Sequence, residues 1–251
     1  LKRKYMTKIK SANEIAIMKE AGRISRLAMQ RAVDAIEEGI TKRELNSIAT
    51  KTILAEGGEL SFTTVDDYKY ATCITVNDEI VHGIPDQTKL KKGDILSIDL
   101  GTMLNGLHTD CATSRIVGGE LDDFLKAGHK ALIEAIKIVK DGIRVGDISA
   151  VIQQILEKDN PYHVSRELTG HGIGHELHED PAIPGYGSEG RGPVLVEGMT
   201  IAIETIYAKG TSLIKYVKND GWTLATKDGS DSGLFEDTVL VGKSGPIVLT
   251  G

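Results

Sequence analysis

Two stretches of the chain carry apolar residues at helical spacing, and each ends in the same punctuation. Residues 21–58 open AGRISRLAMQRAVDAIEEGITKREL, and residues 127–160 open AGHKALIEAIKIVKDGIRVGDI. Each reads as a long amphipathic helix, an acid–Gly–Ile break (Glu38-Gly39-Ile40; Asp141-Gly142-Ile143) and a second helix. Ser11 with Glu14, and Thr41 with Glu44, have the spacing of a capping box, in which each side chain satisfies a free backbone N–H of the other residue. Gly57-Gly58 stops one second helix and Pro161 its counterpart. The pattern then changes to the two-residue alternation of strands. Leu90-Lys-Lys-Gly93-Asp-Ile-Leu-Ser-Ile-Asp99 matches Leu195-Val-Glu-Gly198-Met-Thr-Ile-Ala-Ile-Glu204, each with an acid six residues past a turn glycine. His82-Gly83-Ile84 likewise matches His171-Gly172-Ile173, and Asp110 and Glu236 occupy late strands that run into SRIVGG and TVLVG. Three matches in register point to an internal duplication, with a site on the axis between the halves.

Composition narrows the class. In 251 residues, 40% are hydrophobic, enough for a sizeable core, and the formal net charge of −6 argues against binding nucleic acid by bulk attraction to phosphates. No apolar run approaches the ~18 residues of a membrane span, and the start LKRKYMTKIKSANE has no signal-peptide hydrophobic region. Two cysteines, Cys73 and Cys111, are too few for a disulfide scaffold, so the expectation is a cytoplasmic protein. Glycine, at 28 residues, is enriched and implies sharp turns or close backbone approach.

The acids carry the chemistry. Asn105-Gly106 is the signature of a two-residue hairpin turn; pairing Leu104 with Leu107 puts Gly101 opposite Asp110 and Asp99 opposite Ala112. Asp99 and Asp110 are then diagonal neighbours on one face, roughly 7–8 Å apart. A solvent-facing pair is the ordinary reading for a hairpin. Glu204 and Glu236 at matching strand positions change that, because four acids at strand centres of one small fold need cations. His171 sits in GHGIGHELHEDP; Gly170, Gly172 and Gly174 disfavour a helix, so a glycine-rich loop bringing an imidazole to a metal is expected. Four carboxylates and one imidazole exceed a single tetrahedral zinc and suit two divalent ions, with Mn, Fe, Co or Zn favoured over Ca. Metal-assisted hydrolysis follows. Weaker patterns lead elsewhere. Gly185-Tyr-Gly187-Ser-Glu-Gly190 follows two prolines rather than a strand and reads as a loop. Ser212-Leu-Ile-Lys215 is a common chance match to a serine-hydrolase pattern. Cys111 alternates to the opposite strand face, and Cys73 is structural or pocket-lining.

From about Ile9 to Leu249 the chain resembles the type I methionine aminopeptidases, through NEIAIMKEAGR, VNDEIVHGIPD, the Asp99…Asp110 hairpin, GHGIGHELHEDP, DGWTLATKDGS and the Glu204 and Glu236 strands. The resemblance implies an α+β pita-bread fold, a curved antiparallel sheet covered by helices in two pseudo-symmetric halves. These would be about 9–120 and 121–251 of one catalytic domain 9–251, with 1–8 as an N-terminal extension and Met6 an alternative start. It implies metal ligands at Asp99, Asp110, His171, Glu204 and Glu236, with Asp110 and Glu236 shared between two ions (Co, Mn, Fe or Zn), and attack by a hydroxide held between them. His82, a sixth ligand by symmetry alone, becomes a substrate contact. Catalytic roles fall on Glu204 as proton shuttle, His178 at the carbonyl oxygen and His82 at the nitrogen beyond the cut. Tyr68, Cys73, Leu177 and Trp222 would line the methionine pocket. The expected substrates are nascent polypeptide N-termini near the ribosome, with a small second residue, and the expected state is a monomer with no nucleic-acid or membrane partner.

Departures from the family pattern are Asp237 where His is usual, Thr205 where Pro is usual, Leu177 where an aromatic is common, and His175 at a variable position. Asp237 is expected to add negative charge beside the metals, and Leu177 to loosen the pocket. Two other readings stay open: an Xaa-Pro peptidase of the same fold, which usually carries a further N-terminal domain, and a non-catalytic pita-bread binding module, which would have lost ligands.

Overall fold

The computed structural model describes residues 8–217 and 219–251. Of the expected extension 1–8 only Lys8 is among them, and Met6 lies outside the described residues. Both capping boxes form. Ser11 Oγ accepts from the Glu14 N–H at the start of α1 (Ala12–Asp34) while Glu14 accepts from the Ser11 N–H, and Thr41 and Glu44 repeat this at α2 (Lys42–Ala55). The chain continues through β1 (Glu59–Leu60), β2 (Thr72–Val76), β3 (Glu79–Val81), β4 (Ile95–Leu104) and β5 (Leu107–Ile116). Asn105 and Gly106 both have positive φ, as the hairpin turn between β4 and β5 demands. Next come α3 (Asp123–Lys137), α4 (Val145–Gln153), β6 (His163–Val164), β7 (Gly170–Gly172) and β8 (Glu179–Ile183). The last strands are β9 (Thr200–Ala208), β10 (Ile214–Tyr216), β11 (Leu224–Thr226), β12 (Ser232–Val241) and β13 (Pro246–Val248).

Among the described residues, ten strands form one antiparallel sheet in the order β1-β4-β5-β12-β9-β7-β8, with β2 beside β4, β6 beside β9 and β13 beside β12. A smaller sheet runs β10-β11-β3. The centre of the large sheet is the β5–β12 seam. Its direct register covers only Glu236↔Ala112 and Asp237↔Cys111. On either side a hydroxyl completes the ladder: Thr238 Oγ1 accepts from the Asp110 N–H and donates to the Asp110 carbonyl, and Ser114 Oγ does the same for Leu234.

Helix α1 covers β4 and β5, with α2 beside it against β1 and β2, and α3 covers β9 and β12 with α4 beside it. Ile24, Ala28, Leu45 and Ile53 meet Ile98 and Leu100 in one core; Leu125, Leu132 and Ile148 meet Ile203, Phe235 and Val239 in the other. Because side chains alternate along a strand, burying Ile98, Ile203 and Phe235 under helices turns Asp99, Glu204 and Glu236 to the opposite face. Each buried aliphatic or aromatic side chain contributes about 1.5–3 kcal/mol, and a one-residue slip would exchange these groups for carboxylates. The apolar pattern therefore fixes where the acids point.

Candidate metal centre and peptide-binding cavity

Pairing across the sheet puts Cys73 (β2) opposite Asp99 (β4), Asp99 opposite Ala112 (β5), Ala112 opposite Glu236 (β12), and Glu236 opposite Glu204 (β9). One row thus carries three acids. Asp110 lies two residues along β5 from Ala112, on the same face. His171 of β7 pairs with Ala202, two residues from Glu204, and joins that face from the far side. Ligand atoms of Asp110, His171 and Glu236 lie within 4.8 Å of one another, and His171 Nε2 is 3.6 Å from Glu204 Oε1.

His171 departs from expectation in its setting: it stands on a short strand, not in a loop. The glycines around it serve close packing. A Cβ on Gly170 would sit 2.5 Å from the Ala202 carbonyl oxygen, and one on Gly172 only 2.2 Å from that of Asp180. Only bare backbone fits there between β8 and β9.

The electrostatics point to cations. Asp99 Oδ1, Asp110 Oδ1 and Glu236 Oε1 are buried without a hydrogen-bond partner among the described residues, a costly arrangement for a carboxylate. Burial raises the pKa of all four acids, Asp99 to about 7, and neighbouring carboxylates push Asp110, Glu204 and Glu236 up further. Burial also lowers the pKa of His171 to about 3, helped by His178, so its imidazole is neutral. Its Nδ1 lies 2.9 Å from the Gly172 carbonyl oxygen, an acceptor. That fixes the proton on Nδ1 and leaves the Nε2 lone pair free for a metal. Oxygen-rich, nitrogen-containing and lacking counter-charge, this donor set fits divalent ions.

The acids open into a cavity of about 310 Å³. All of the expected site residues line it: the five candidate ligands, His82, His178, Tyr68, Cys73, Leu177 and Trp222. His82 follows β3 with φ +57, a left-handed conformation rare outside glycine and frequent at functional positions. His178 stacks edge-on against His171, with ring centroids 4.4 Å apart. Both His82 and His178 keep exposed surface at the cavity mouth, and desolvation by the surrounding protein lowers the pKa of each, which favours the neutral ring.

The cavity has two apolar walls. Phe62, Tyr68, Cys73 and Leu177 belong to one packed cluster, with Val65 and Trp222 against it. Tyr68 turns its hydroxyl away to the Thr72 carbonyl and meets Trp222 edge-on at 5.0 Å, leaving ring surface for the cavity. Val81, Ile206 and Leu234 belong to a second cluster, with Leu168 beside it and Glu167 and Thr169 nearby on the cavity lining. The sequence reading missed this second wall and Phe62 and Val65 of the first. Ile206 and Leu234 carried a usable signal, since each stands two residues from a candidate ligand on the same strand face. Phe62 and Val65, in and after an isolated helical turn, carried none.

Asp237 does add negative charge felt at a candidate ligand, raising the pKa of Glu236, but from behind the sheet. Alternation sends its side chain behind the sheet, where Oδ1 accepts from the Thr250 hydroxyl, so it does not face the cavity. Thr205 also points away, its buried hydroxyl donating to the carbonyls of Gly128 and Phe235.

Residues 16–243 match the model of metallopeptidase family M24. The chain belongs to that family. This M24 metallopeptidase is 40% identical over 244 residues to methionine aminopeptidase 1 of Bacillus subtilis, covering 96% of this chain and 98% of that protein. The crystal structure of the methionine aminopeptidase from Thermotoga maritima superposes with a TM-score of 0.93 at 41% identity, covering 98% and 99% of the two chains. The prolidase of Pyrococcus furiosus is more distant: TM-score 0.75, 25% identity, and 65% of its length covered. Pita-bread enzymes are thus the metallopeptidase's structural neighbours, as the sequence implied. No helix among the described residues is long and apolar enough to cross a membrane.

Proposed function

We propose that this M24 peptidase removes the N-terminal methionine of polypeptides, with Asp99, Asp110, His171, Glu204 and Glu236 holding two divalent ions. The observation that carries the assignment is the face of unpartnered buried carboxylate oxygens beside a neutral imidazole whose Nε2 is free. Bound there, the ions supply counter-charge for the acids and an activated water for hydrolysis. The first apolar wall receives the unbranched thioether, which the rings of Tyr68 and Trp222 suit. Asp99, at the edge of the acid row beside Cys73, would anchor the free amine together with the ion it holds. Glu204 takes up a proton on a carboxylate oxygen and returns it to the leaving nitrogen. His178 donates its single N–H to the carbonyl oxygen as charge builds there, and His82 contacts the nitrogen beyond the cut. The second wall, Val81, Ile206 and Leu234, crowds the next side chain and favours a small one. The methionine aminopeptidase relative matched over nearly its full length supports nascent polypeptide N-termini as the substrates, with action in the cytoplasm.

The test is hydrolysis of Met-Ala and Xaa-Pro peptides by stripped protein reloaded with each metal. Cleavage of Met-Ala restored by Mn, Fe or Co and absent for its acetylated form is the expected result. Full activity without metal, or preference for Xaa-Pro, would overturn the reading.

A further inference from the structure

No side-chain hydrogen bond of His178 is formed among the described residues, and its ring meets that of His171 edge-on. Its aim therefore depends on the loop 173–178, whose fastening is unusual. Lys10, just ahead of α1, has a side chain only 1% exposed. Its Nζ lies 2.8 Å from Glu179 Oε2, and also donates to the Lys8 carbonyl at 3.1 Å. The other oxygen, Glu179 Oε1, accepts from the backbone N–H groups of His175 (2.7 Å) and Glu176 (3.3 Å). One lysine thus holds the carboxylate that holds the loop, one residue past His178. The lysine stem packs against the Gly174 backbone so closely that a Cβ there would lie 2.1 Å from Lys10 Cε. Lys10 is itself pinned, its N–H donating to the Gly198 carbonyl at 2.8 Å. A second tie, His175 Nε2 to Glu14 Oε1 at 2.8 Å, joins the same loop to α1 at the surface.

We propose that Lys10 is a positioning residue for His178, acting through Glu179, so that the segment before α1 sets the geometry of the donor at the scissile carbonyl. The proposal rests on the role assigned to His178 above. Removing the ammonium leaves Glu179 buried without its counter-charge. The carboxylate then turns to solvent and releases the two N–H groups that shape the loop. Displacement of a catalytic group by about 1 Å costs on the order of 10²-fold in rate.

The experiment is a double-mutant cycle on the metal-loaded full chain, with Lys10→Met and His178→Ala alone and combined. It reads kcat on a Met-Ala peptide, metal affinity by calorimetry and thermal unfolding. The expected result is a loss of about tenfold to a hundredfold in kcat for Lys10→Met. KM and metal affinity stay near wild type, the loss falls below about threefold on the His178→Ala background, and Lys10→Arg recovers most of it. Should Lys10→Met fail to fold, Glu179→Ala enters the same cycle, since it removes the acceptor for the His175 and Glu176 N–H groups outright. Equal losses on both backgrounds, or an unchanged kcat, would overturn the proposal and leave His178 in its role. Full turnover by His178→Ala would overturn both.

Discussion

Gly170→Ala separates a glycine that is merely part of a loop from one that holds a metal ligand in place. A methyl group there meets the Ala202 carbonyl oxygen at 2.5 Å, and must retreat by about 0.9 Å to reach an ordinary 3.4 Å contact. The Glu204 N–H and the Ile183 carbonyl, both 3.3 Å away, block the other directions. Strand β7 must therefore move off β9 next to His171, whose Nε2 is only 3.6 Å from Glu204 Oε1. A shift of that size is large against the tolerance of a metal site, and misplacement of about 1 Å costs on the order of 10²-fold in rate. Gly170→Ala should accordingly lose roughly 10²-fold in kcat/KM on a Met-Ala peptide, with metal affinity by calorimetry reduced by at least tenfold and circular dichroism little changed. Gly245→Ala is the matched control, because a methyl group there has nothing within 4 Å, and it should behave as wild type. A Gly170→Ala protein with native metal affinity and turnover would refute the view that bare backbone at β7 sets the ligand geometry.

Three further outcomes follow from the same geometry. Asp110→Asn removes a buried carboxylate whose Oδ1 has no hydrogen-bond partner among the described residues, so metal affinity should fall by more than tenfold while the metal-free protein melts a few degrees higher; a lower melting temperature without metal would contradict this. In metal-free protein the raised acids, Asp99 at about 7, bind more protons folded than unfolded above about pH 4, so their contribution to stability falls as pH rises through 7. The lowered pKa of His171, about 3, works the other way up to about pH 6.5. Because protons compete with an ion for the acids and for His171 alike, the melting gain on adding Mn should be larger at pH 7.5 than at pH 5.5; the reverse order in calorimetric scans would count against it. Leu177→Phe, on the thioether wall with Tyr68 and Trp222, should raise the preference for Met over Leu at the N-terminus by several-fold in competition assays, since a methylene is worth only ~1–3 kcal/mol in such a pocket.

The candidate ligands were legible because they obey local rules. Asn105-Gly106 fixed one register, and from it Asp99, Ala112 and Asp110 fell into place two residues at a time. The matching strand supplied Glu204 and Glu236 by the same alternation. Features that depend on contacts between distant segments were not legible. The glycines flanking His171 looked like a loop because their purpose, admitting the backbones of β8 and β9, is set by residues 180 and 202. Lys10 and Glu179 lie 169 positions apart, and nothing in either neighbourhood announces a buried pair.

Asp237 shows that proximity to a ligand in sequence is not a place on the metal face. Adjacent strand residues face opposite sides, so the neighbour of Glu236 in the chain is its antipode in space. The acid at 237 meets Thr250, whose hydroxyl donates to it at 2.8 Å and also accepts from the Thr238 N–H at 2.9 Å. The same Thr238 turns its own hydroxyl to the Asp110 backbone across the seam. Asp237 is thus linked to a candidate ligand through two threonines and the C-terminal segment, and its charge is felt both by Cys111 and by Glu236, whose pKa it helps raise. Burial raises its pKa to about 6, against the hydroxyl of Thr250, which stabilises the charged form. A residue there stays off the cavity lining because strand alternation puts the sheet between the two, yet its charge still reaches the ligand row through Glu236.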